Sequence, residues 1–294
     1  MSTIPGNSIV VAVDGSAPSE AALDWAIDEA GRRKLPLHLL HAFGVDYSMM
    51  PRPTLSPDGT SVDDELLDAG MARVRSLAPS VRVTCEADTG YPSPALVELS
   101  GTADTIVLGA RGRGAVRGAL LGSVSLQVAM HARCPVVVVR ELPRPGPSAP
   151  RVVVGIDGSP TSERAIEYAF GQASLRGLGL TVVHAWWMEF VEGVIATTSS
   201  EEQWERMGQE QRALVSESLA GWREKYPDVD VRQHVVRSLP AEALIGESAG
   251  AELVVVGSRG RGGFRGLLLG SVSHSVMQHA HCPVAVVRPR HDHG

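Results

Sequence analysis

The chain contains one glycine-rich stretch twice, and this duplication restricts its possible folds more than any other feature. The sequence GARGRGAVRGALLGSVS, residues 109–125, returns as GSRGRGGFRGLLLGSVS, residues 257–273, with all but four of the 17 positions identical. Each copy follows a short apolar run and precedes a segment with helical character. The pattern predicts a strand, a glycine loop and a helix start in each half of the chain.

The spacing of the glycines points to an anion. In both copies two residues separate the first two glycines, and nine separate the second from a Gly-Ser pair. Glycines at a strand end let a bound group approach the backbone, and a helix that opens with Gly-Ser offers unpaired N–H donors and a hydroxyl. We therefore predict two phosphate cradles, built on Gly109, Gly112, Gly122 and Ser123 and on Gly257, Gly260, Gly270 and Ser271.

Both halves also begin with a continuous apolar run that ends at an aspartate. Such a run is typical of a strand buried on both faces of a parallel sheet. The Asp-Gly-Ser that follows predicts a turn into a helix, with the cap expected at Ser19 or Ser162. The runs are residues 9–13 and 152–156, and the aspartates are Asp14 and Asp157.

The remainder of each half alternates apolar runs with amphipathic segments, which predicts five parallel strands separated by helices. Four prolines between Glu141 and Pro150 indicate an extended linker. We predict a first domain at residues 1–141, a proline-rich linker at 142–150 and a second domain at 151–294. At 294 residues the chain is long enough for two such cores.

Composition excludes several classes of function. A net charge of −6 disfavours a nucleic-acid partner, although the Arg-Gly-Arg-Gly pieces are locally basic. The apolar runs are far shorter than the roughly 20 residues that span a bilayer, and no signal segment is recognisable, so we expect no membrane and a cytoplasmic location. Three cysteines are expected to be reduced thiols, two of them packed in the cores.

With its Val-Asp-Gly-Ser or Ile-Asp-Gly-Ser after the first strand and its repeated glycine spacing, the chain resembles the ATP-binding branch of the universal stress proteins, in a tandem two-domain form. The resemblance implies an α/β fold of two doubly wound, Rossmann-like domains. Each would be a five-stranded parallel sheet of order 3-2-1-4-5 flanked by helices. Ligands of such sheets lie outside the carboxyl ends of the strands, where the strand order reverses.

The resemblance also implies a set of contacts to ATP and leaves open whether Mg²⁺ accompanies the nucleotide. The base and ribose side would be formed by Ala12, Asp14 and Ala42, and in the second half by Gly155, Asp157 and Ala185. The ribose and phosphates would be approached by Gly109, Ala110, Arg111, Gly112, Arg113, Gly114 and Ala115, and by Gly257, Ser258, Arg259, Gly260, Arg261, Gly262 and Gly263. The phosphates would be bound by Gly122, Ser123, Val124 and Ser125, and by Gly270, Ser271, Val272 and Ser273.

Some features of these sites have plain structural alternatives. Either aspartate could act only as a helix-entry cap. The loop arginines Arg113, Arg117, Arg261 and Arg265 could neutralise a triphosphate or remain solvated. The matched histidine pairs His41 and His184, and His131 and His279, could take part in proton chemistry, but packing at strand and helix ends is the favoured interpretation.

Two other nucleotide-binding classes do not fit. A Walker loop needs a lysine after its glycines, but the chain has only Lys34 and Lys225, and neither follows a glycine. A dinucleotide fingerprint belongs after the first strand of a βαβ unit, whereas these glycines follow the predicted fourth strand.

The resemblance implies a nucleotide-dependent regulator of stress response or growth, whose protein partner the sequence does not identify. The alternative is an enzyme of the adenine-nucleotide α-hydrolase-like group that cleaves ATP to activate a substrate. Such an enzyme needs a group that activates the nucleophile. No acid, base or nucleophile recurs beside the phosphate motifs beyond the serines, so regulation is the favoured interpretation and slow hydrolysis stays open.

The predicted fifth strands, residues 135–140 and 283–288, lie at a sheet edge in the implied order, and an open apolar edge would invite uncontrolled pairing. Family members commonly pair these edges antiparallel. An extended ten-residue linker spans roughly 30 Å, at about 3.1 Å per residue, which lets one chain pair its own edges. We predict that pairing, with homodimers formed through other surfaces.

Placing a charge in each edge tests this arrangement. The double variant Val138→Asp, Val286→Asp is expected to separate the two domains, because each carboxylate would have to be buried in the pairing. Small-angle scattering and gel filtration would report the change in solution size. Unchanged packing of the domains would contradict the prediction.

Overall fold

The computed structural model describes residues 5–42, 44, 62–114, 118–140, 149–186, 201–261 and 268–288. Within it the chain divides into two compact units, which correspond to the two halves of the repeat. Most of the predicted linker, residues 142–148, lies outside the described residues.

Five strands and four helices alternate in the described part of the first unit. In order they are β1 (Ile9–Ala12), α1 (Ala17–Arg33), β2 (Leu37–Ala42), α2 (Val62–Leu77), β3 (Val83–Asp88), α3 (Pro92–Leu99), β4 (Thr105–Gly109), α4 (Ser123–His131) and β5 (Val136–Val139).

The second unit repeats this order in its described residues. Its elements are β6 (Arg151–Gly155), α5 (Pro160–Arg176), β7 (Gly179–Trp186), α6 (Glu201–Lys225), β8 (Val231–Arg237), α7 (Pro240–Ser248), β9 (Leu253–Gly257), α8 (Ser271–His279) and β10 (Val284–Val287).

Each unit orders its strands as the family resemblance implied. The first has β3-β2-β1-β4-β5 and the second has β8-β7-β6-β9-β10. The pairs within each unit are parallel, as in β1 with β2 and β4, or β6 with β7 and β9. The doubly wound α/β fold with strand order 3-2-1-4-5 is therefore confirmed. The order reverses between β1 and β4, and between β6 and β9.

Burial explains why the continuous apolar runs form the centre of each sheet. The middle strands β1, β4, β6 and β9 are buried along most of their length, whereas β3 and β8, at one end of each strand order, are partly exposed. In the first unit α1 packs on β1, β4 and β5, and α3 packs on α4 and on β1 and β2. Among the described residues no helix is both long and apolar enough to cross a membrane.

The predicted helix caps at Ser19 and Ser162 were wrong by three residues. The N-caps are Ser16 and Ser159, whose side chains accept a hydrogen bond from the backbone N–H of Ser19 and Ser162. The third residue of the Asp-Gly-Ser turn thus caps the helix itself, because Pro occupies the first turn of both helices and displaces the cap toward the turn.

The carboxyl ends of α1 and α5 have the same backbone conformation but different residues, so they show the cost of placing a side chain in left-handed backbone. Both helices end with a left-handed residue, Lys34 with φ 54° and Gly177 with φ 63°. In both, the next backbone N–H reaches back to the helix, from Leu35 to Ala30 O and from Leu178 to Ala173 O. Left-handed backbone strains a residue with a Cβ but not glycine.

We therefore expect Lys34→Gly to raise the free energy of unfolding by about 1 kcal/mol, and Gly177→Ala to lower it by a similar amount. Urea denaturation of the two single variants measures both effects. Opposite signs are required, so a Lys34→Gly variant that is no more stable than the unmodified chain would contradict the strain argument.

Candidate nucleotide site

The predicted site residues meet at the carboxyl edge of each sheet. Ala12 and Gly155 end β1 and β6, Ala42 ends β2, and Ala185 is the last residue but one of β7. Gly109 and Gly257 end β4 and β9, where the glycine loops begin. This edge, at the reversal of strand order, is where ligands of doubly wound sheets bind.

The Asp14 carboxylate connects the two segments that form this edge in the first unit. Its Oδ1 accepts hydrogen bonds from the Ser16 backbone N–H at 3.0 Å and from Ser16 Oγ at 2.6 Å. Its Oδ2 accepts the backbone N–H of Arg113, 99 positions away, at 2.8 Å. One side chain therefore holds the turn after β1 against the glycine loop after β4.

Asp157 repeats this arrangement in the second unit. Its Oδ1 accepts from the Ser159 N–H at 3.0 Å and from the Ser162 hydroxyl. Its Oδ2 accepts the Arg261 N–H, 104 positions away, at 2.7 Å. A carboxylate has about four acceptor positions, and a second serine hydroxyl, of Ser19 or Ser159, also acts on each aspartate, so at most one position is left for a ligand.

Gly112 and Gly260 lie against these carboxylates. A Cβ at either position would overlap the Oδ2 of Asp14 or Asp157. Neither glycine has a positive φ. The requirement for glycine here comes from the approach of the aspartate rather than from the backbone angles of the loop.

An arginine covers the glycine of each Asp-Gly-Ser turn. Gly15 and Gly158 have φ of 70° and 72°. A Cβ at Gly15 would lie 2.6 Å from Arg113 Nη2, and Arg261 Nη2 donates to Gly158 O at 3.1 Å. The aspartate fixes the backbone of each arginine, and the guanidinium lies beside the glycine of the turn.

The helices α4 and α8 begin differently from the others whose starts are described in full. Their N-caps are Gly122 and Gly270, which supply no side-chain hydrogen bond. By contrast, α1, α3, α5 and α7 all carry proline in the first turn, which removes one N–H donor. The first turns of α4 and α8 thus retain N–H donors that the helix itself cannot satisfy.

Ser125 and Ser273 tether these helices to the strands. Ser125 Oγ donates to Gly109 O at 2.7 Å, and Ser273 Oγ donates to Gly257 O at 2.6 Å. Because each hydroxyl proton is used in that bond, neither hydroxyl can donate a hydrogen bond to an anion. The phosphate contact predicted for both serines stays a prediction that only the backbone N–H can fulfil.

In each unit one histidine near the end of the second strand bonds to the segment after the first strand. Sequence reasoning expected this histidine only to pack. His41 Nδ1 is bonded to Val13 O at 2.7 Å, and His184 Nδ1 to Ile156 O at 2.9 Å. In each case the carbonyl belongs to the residue just before the aspartate. A histidine near the end of both second strands was the available signal.

The charges at the loop are positive. Arg111 and Arg113 are exposed, as are Arg259 and Arg261, and none pairs with a carboxylate of the described residues. Ala115, Gly262 and Gly263, together with Arg117 and Arg265, lie outside the described residues. Within the described part of the chain, no three His, Cys, Asp or Glu side chains cluster as metal ligands.

Comparison with known proteins assigns the fold and motifs to a family. The universal stress protein family model matches residues 7–140 and again 149–288. The chain belongs to the universal stress protein family. This confirms the resemblance that the glycine motifs indicated, in its tandem form.

Relatives in this family cover nearly the full chain. Universal stress protein Rv2005c of Mycobacterium tuberculosis is 41% identical over 96% of this chain and 97% of its own length. Universal stress protein Rv2623 of the same species is 38% identical over 96% and 98%. A universal stress protein from Archaeoglobus fulgidus shares the fold, with a TM-score of 0.62, 20% identity and 97% coverage of both chains.

Removing the charge of the aspartates tests their bridging role. In Asp14→Asn, Asp157→Asn an amide N–H₂ that replaces Oδ2 faces the Arg113 or Arg261 N–H, so two donors oppose each other. We expect each domain to lose about 1–3 kcal/mol of unfolding free energy and faster hydrogen exchange at those two amides. Asp28→Asn, on an exposed ion pair with Arg32, is the control and should change stability by less than about 1 kcal/mol.

The same carboxylates predict a dependence on pH. Burial acts to raise the pKa of each, but the hydrogen bonds from the turn serines and from the Arg113 or Arg261 N–H outweigh it, so the pKa of Asp14 and Asp157 lies below its ordinary value. A lowered folded pKa contributes stability that is complete above the unfolded pKa of about 3.9.

That contribution is lost as the pH falls below about 4 and through the lowered folded pKa. The Asn double variant should therefore show a shallower loss of stability than the unmodified chain between about pH 4 and pH 2. Parallel curves for the two proteins would show that the aspartates are not responsible.

Proposed function

We propose that each domain binds one molecule of ATP and that the protein acts as a nucleotide-dependent regulator of stress response or growth. The observation that carries the proposal is the start of α4 and α8. There a glycine N-cap leaves N–H donors unsatisfied at the carboxyl edge of the sheet, while α1, α3, α5 and α7 each carry proline in the first turn. Helix N-termini of this kind bind phosphate through the N–H groups and the helix dipole.

The surroundings of these donors suit a polyphosphate. Arg111 and Arg113 place positive charge beside the first cradle, and Arg259 and Arg261 beside the second. Gly112 and Gly260, the second glycine of the spacing in each loop, leave no side chain on the backbone next to the aspartate. A triphosphate could then contact backbone N–H groups and guanidinium groups together.

The base and ribose are assigned to the opposite side of the edge. The remaining acceptor position of Asp14 or Asp157 would receive a ribose hydroxyl. The backbone of Ala42 or Ala185, at the end of the second strand, would pair with the adenine edge. The histidine bond to the carbonyl before the aspartate fixes the distance between these two groups.

Mg²⁺ would enter with the nucleotide rather than be held by the protein. Each site contributes one carboxylate, and the described residues form no cluster of metal ligands. Mg²⁺ ordinarily keeps several waters and binds through one or two carboxylates and substrate phosphates, which this donor set permits. Bound Mg²⁺ would neutralise part of the triphosphate charge.

The regulatory role is supported by family membership and by what surrounds the cradle. In the first turn of α4, the Ser125 hydroxyl is bonded to the end of β4, and Ser123 carries one of the backbone N–H donors. The histidines near the edge, such as His184, are bonded to main-chain carbonyls. No repeated group among the described residues is arranged to activate a nucleophile, which ATP cleavage would require.

A proline substitution tests the cradle without disturbing the fold. Ser123→Pro, Ser271→Pro removes the first N–H donor of α4 and α8, and proline fits the first helical position. The preceding Gly122 and Gly270 have ψ of 153° and 154°, which suits a residue before proline. Ser123→Ala, Ser271→Ala removes only the hydroxyls and is the matched control.

Calorimetry of the unmodified chain should give about two ATP per chain. The proline variant should bind ATP about ten- to hundred-fold more weakly, since a hydrogen bond to a charged group is worth roughly 1.5–3 kcal/mol, and the alanine control should lose less affinity than the proline variant, because it keeps the backbone N–H. A single ATP per chain, or proline variants of unchanged affinity, would overturn the assignment. ADP or AMP produced during the incubation would favour the enzyme alternative.

A further inference from the structure

Arg140 and Arg288 occupy equivalent places that the sequence motifs did not include. Each is the first residue after the fifth strand of its unit, β5 or β10. In the sheet these strands lie beside β4 and β9, with Val139 opposite Gly109 and Val287 opposite Gly257. The two arginines therefore stand next to the start of each glycine loop.

Backbone hydrogen bonds close the neck of each loop at this point. Ala110 N–H donates to Val139 O at 2.7 Å, and Gly122 N–H donates to Ala110 O at 2.7 Å. The second unit has the same pair of bonds, from Ser258 to Val287 O and from Gly270 to Ser258 O, each 2.7 Å. The fifth strand is thus connected through one residue to the N-cap of the phosphate helix.

The two guanidinium groups reach the far limb of the same loops. Arg140 Nη2 donates to Leu120 O at 2.6 Å, and Arg288 Nη2 donates to Leu268 O at 3.4 Å. Both carbonyls belong to the residue two positions before the glycine N-cap. Each arginine therefore bonds to the segment that immediately precedes the first turn of α4 or α8.

In the first unit the charge of Arg140 adds to that of the loop. The pKa of Arg140 is lowered, first by burial and then by the positive charge of Arg111. Two guanidinium groups close enough to repel each other leave positive potential at the loop, and a bound polyanion would relieve the repulsion.

The geometry points to Arg140 and Arg288 as positioning residues of the two nucleotide sites: they fix the limb of the glycine loop before the helix N-cap and favour ligands with several phosphate charges. This inference rests on the proposed nucleotide function and assigns part of the preference for ATP over uncharged nucleosides to two residues outside the glycine motifs. Neither arginine needs to contact the phosphates directly.

The test compares ATP with adenosine, which lacks phosphate charge. Arg140→Met, Arg288→Met removes both donors and both charges, whereas Arg140→Lys, Arg288→Lys keeps the charges. Arg133→Met, Arg232→Met is the control with the same change in net charge, since both arginines are exposed and lie outside the loop region. Dissociation constants for both ligands, at low and high salt, and the melting temperature would be measured for each protein.

We expect the methionine variant to bind ATP about ten-fold more weakly, the equivalent of one charge-assisted hydrogen bond, with adenosine affinity changed less than about two-fold. Its ATP affinity should also depend less on salt, because screening acts on the removed charges. The lysine variant should retain ATP affinity within about three-fold, because an ammonium group can reach a carbonyl and keeps the charge. The control should match the unmodified chain.

Unchanged ATP affinity in the methionine variant would overturn the inference. Equal weakening of ATP and adenosine, with a fall in melting temperature, would also overturn it, because the arginines would then support only the fold. If the unmodified chain binds neither ligand, the nucleotide proposal itself fails and this inference falls with it. ATP binding by the unmodified chain separates these cases.

Discussion

The site in each domain depends on one carboxylate that bonds to two distant parts of the chain. Asp14 and Asp157 each accept hydrogen bonds from their own turn and from a loop that follows the fourth strand. Without these bonds the turn and the loop would share no fixed distance, although the sheet would still bring them to the same edge. This contact explains why a glycine lies beside each carboxylate. It also fixes the position of the arginine backbone N–H that the carboxylate accepts.

The duplication shows which details the site needs and which it tolerates. The bond from the loop N–H to the carboxylate is retained in both units, at 2.8 Å in the first and 2.7 Å in the second. The hydroxyl that bonds Oδ1 differs, since Ser16 serves in one unit and Ser162 in the other. The contact between segments is thus retained, while the local hydroxyl contact can be supplied by either of two serines.

Local patterns in the sequence predicted the strands, the glycine loops and the helix starts, because each depends on residues close together along the chain. Asp14 was expected either to cap a helix or to touch the nucleotide, and its bond to Arg113 was not foreseen. Arg140 recurs as Arg288 at the end of the second half, but the sequence did not indicate its partner, which lies 20 residues earlier. Contacts of this kind depend on the strand order, which periodicity alone does not supply.

The aspartate bond also constrains the order of folding. It joins residues 99 and 104 positions apart, one near the start of each domain and the other after its fourth strand. Closing so long a loop is costly in entropy, and the bond can form only once the central strands have paired. The edge that we assign to ATP is consequently completed late, and a ligand there would stabilise the finished domain without speeding its assembly.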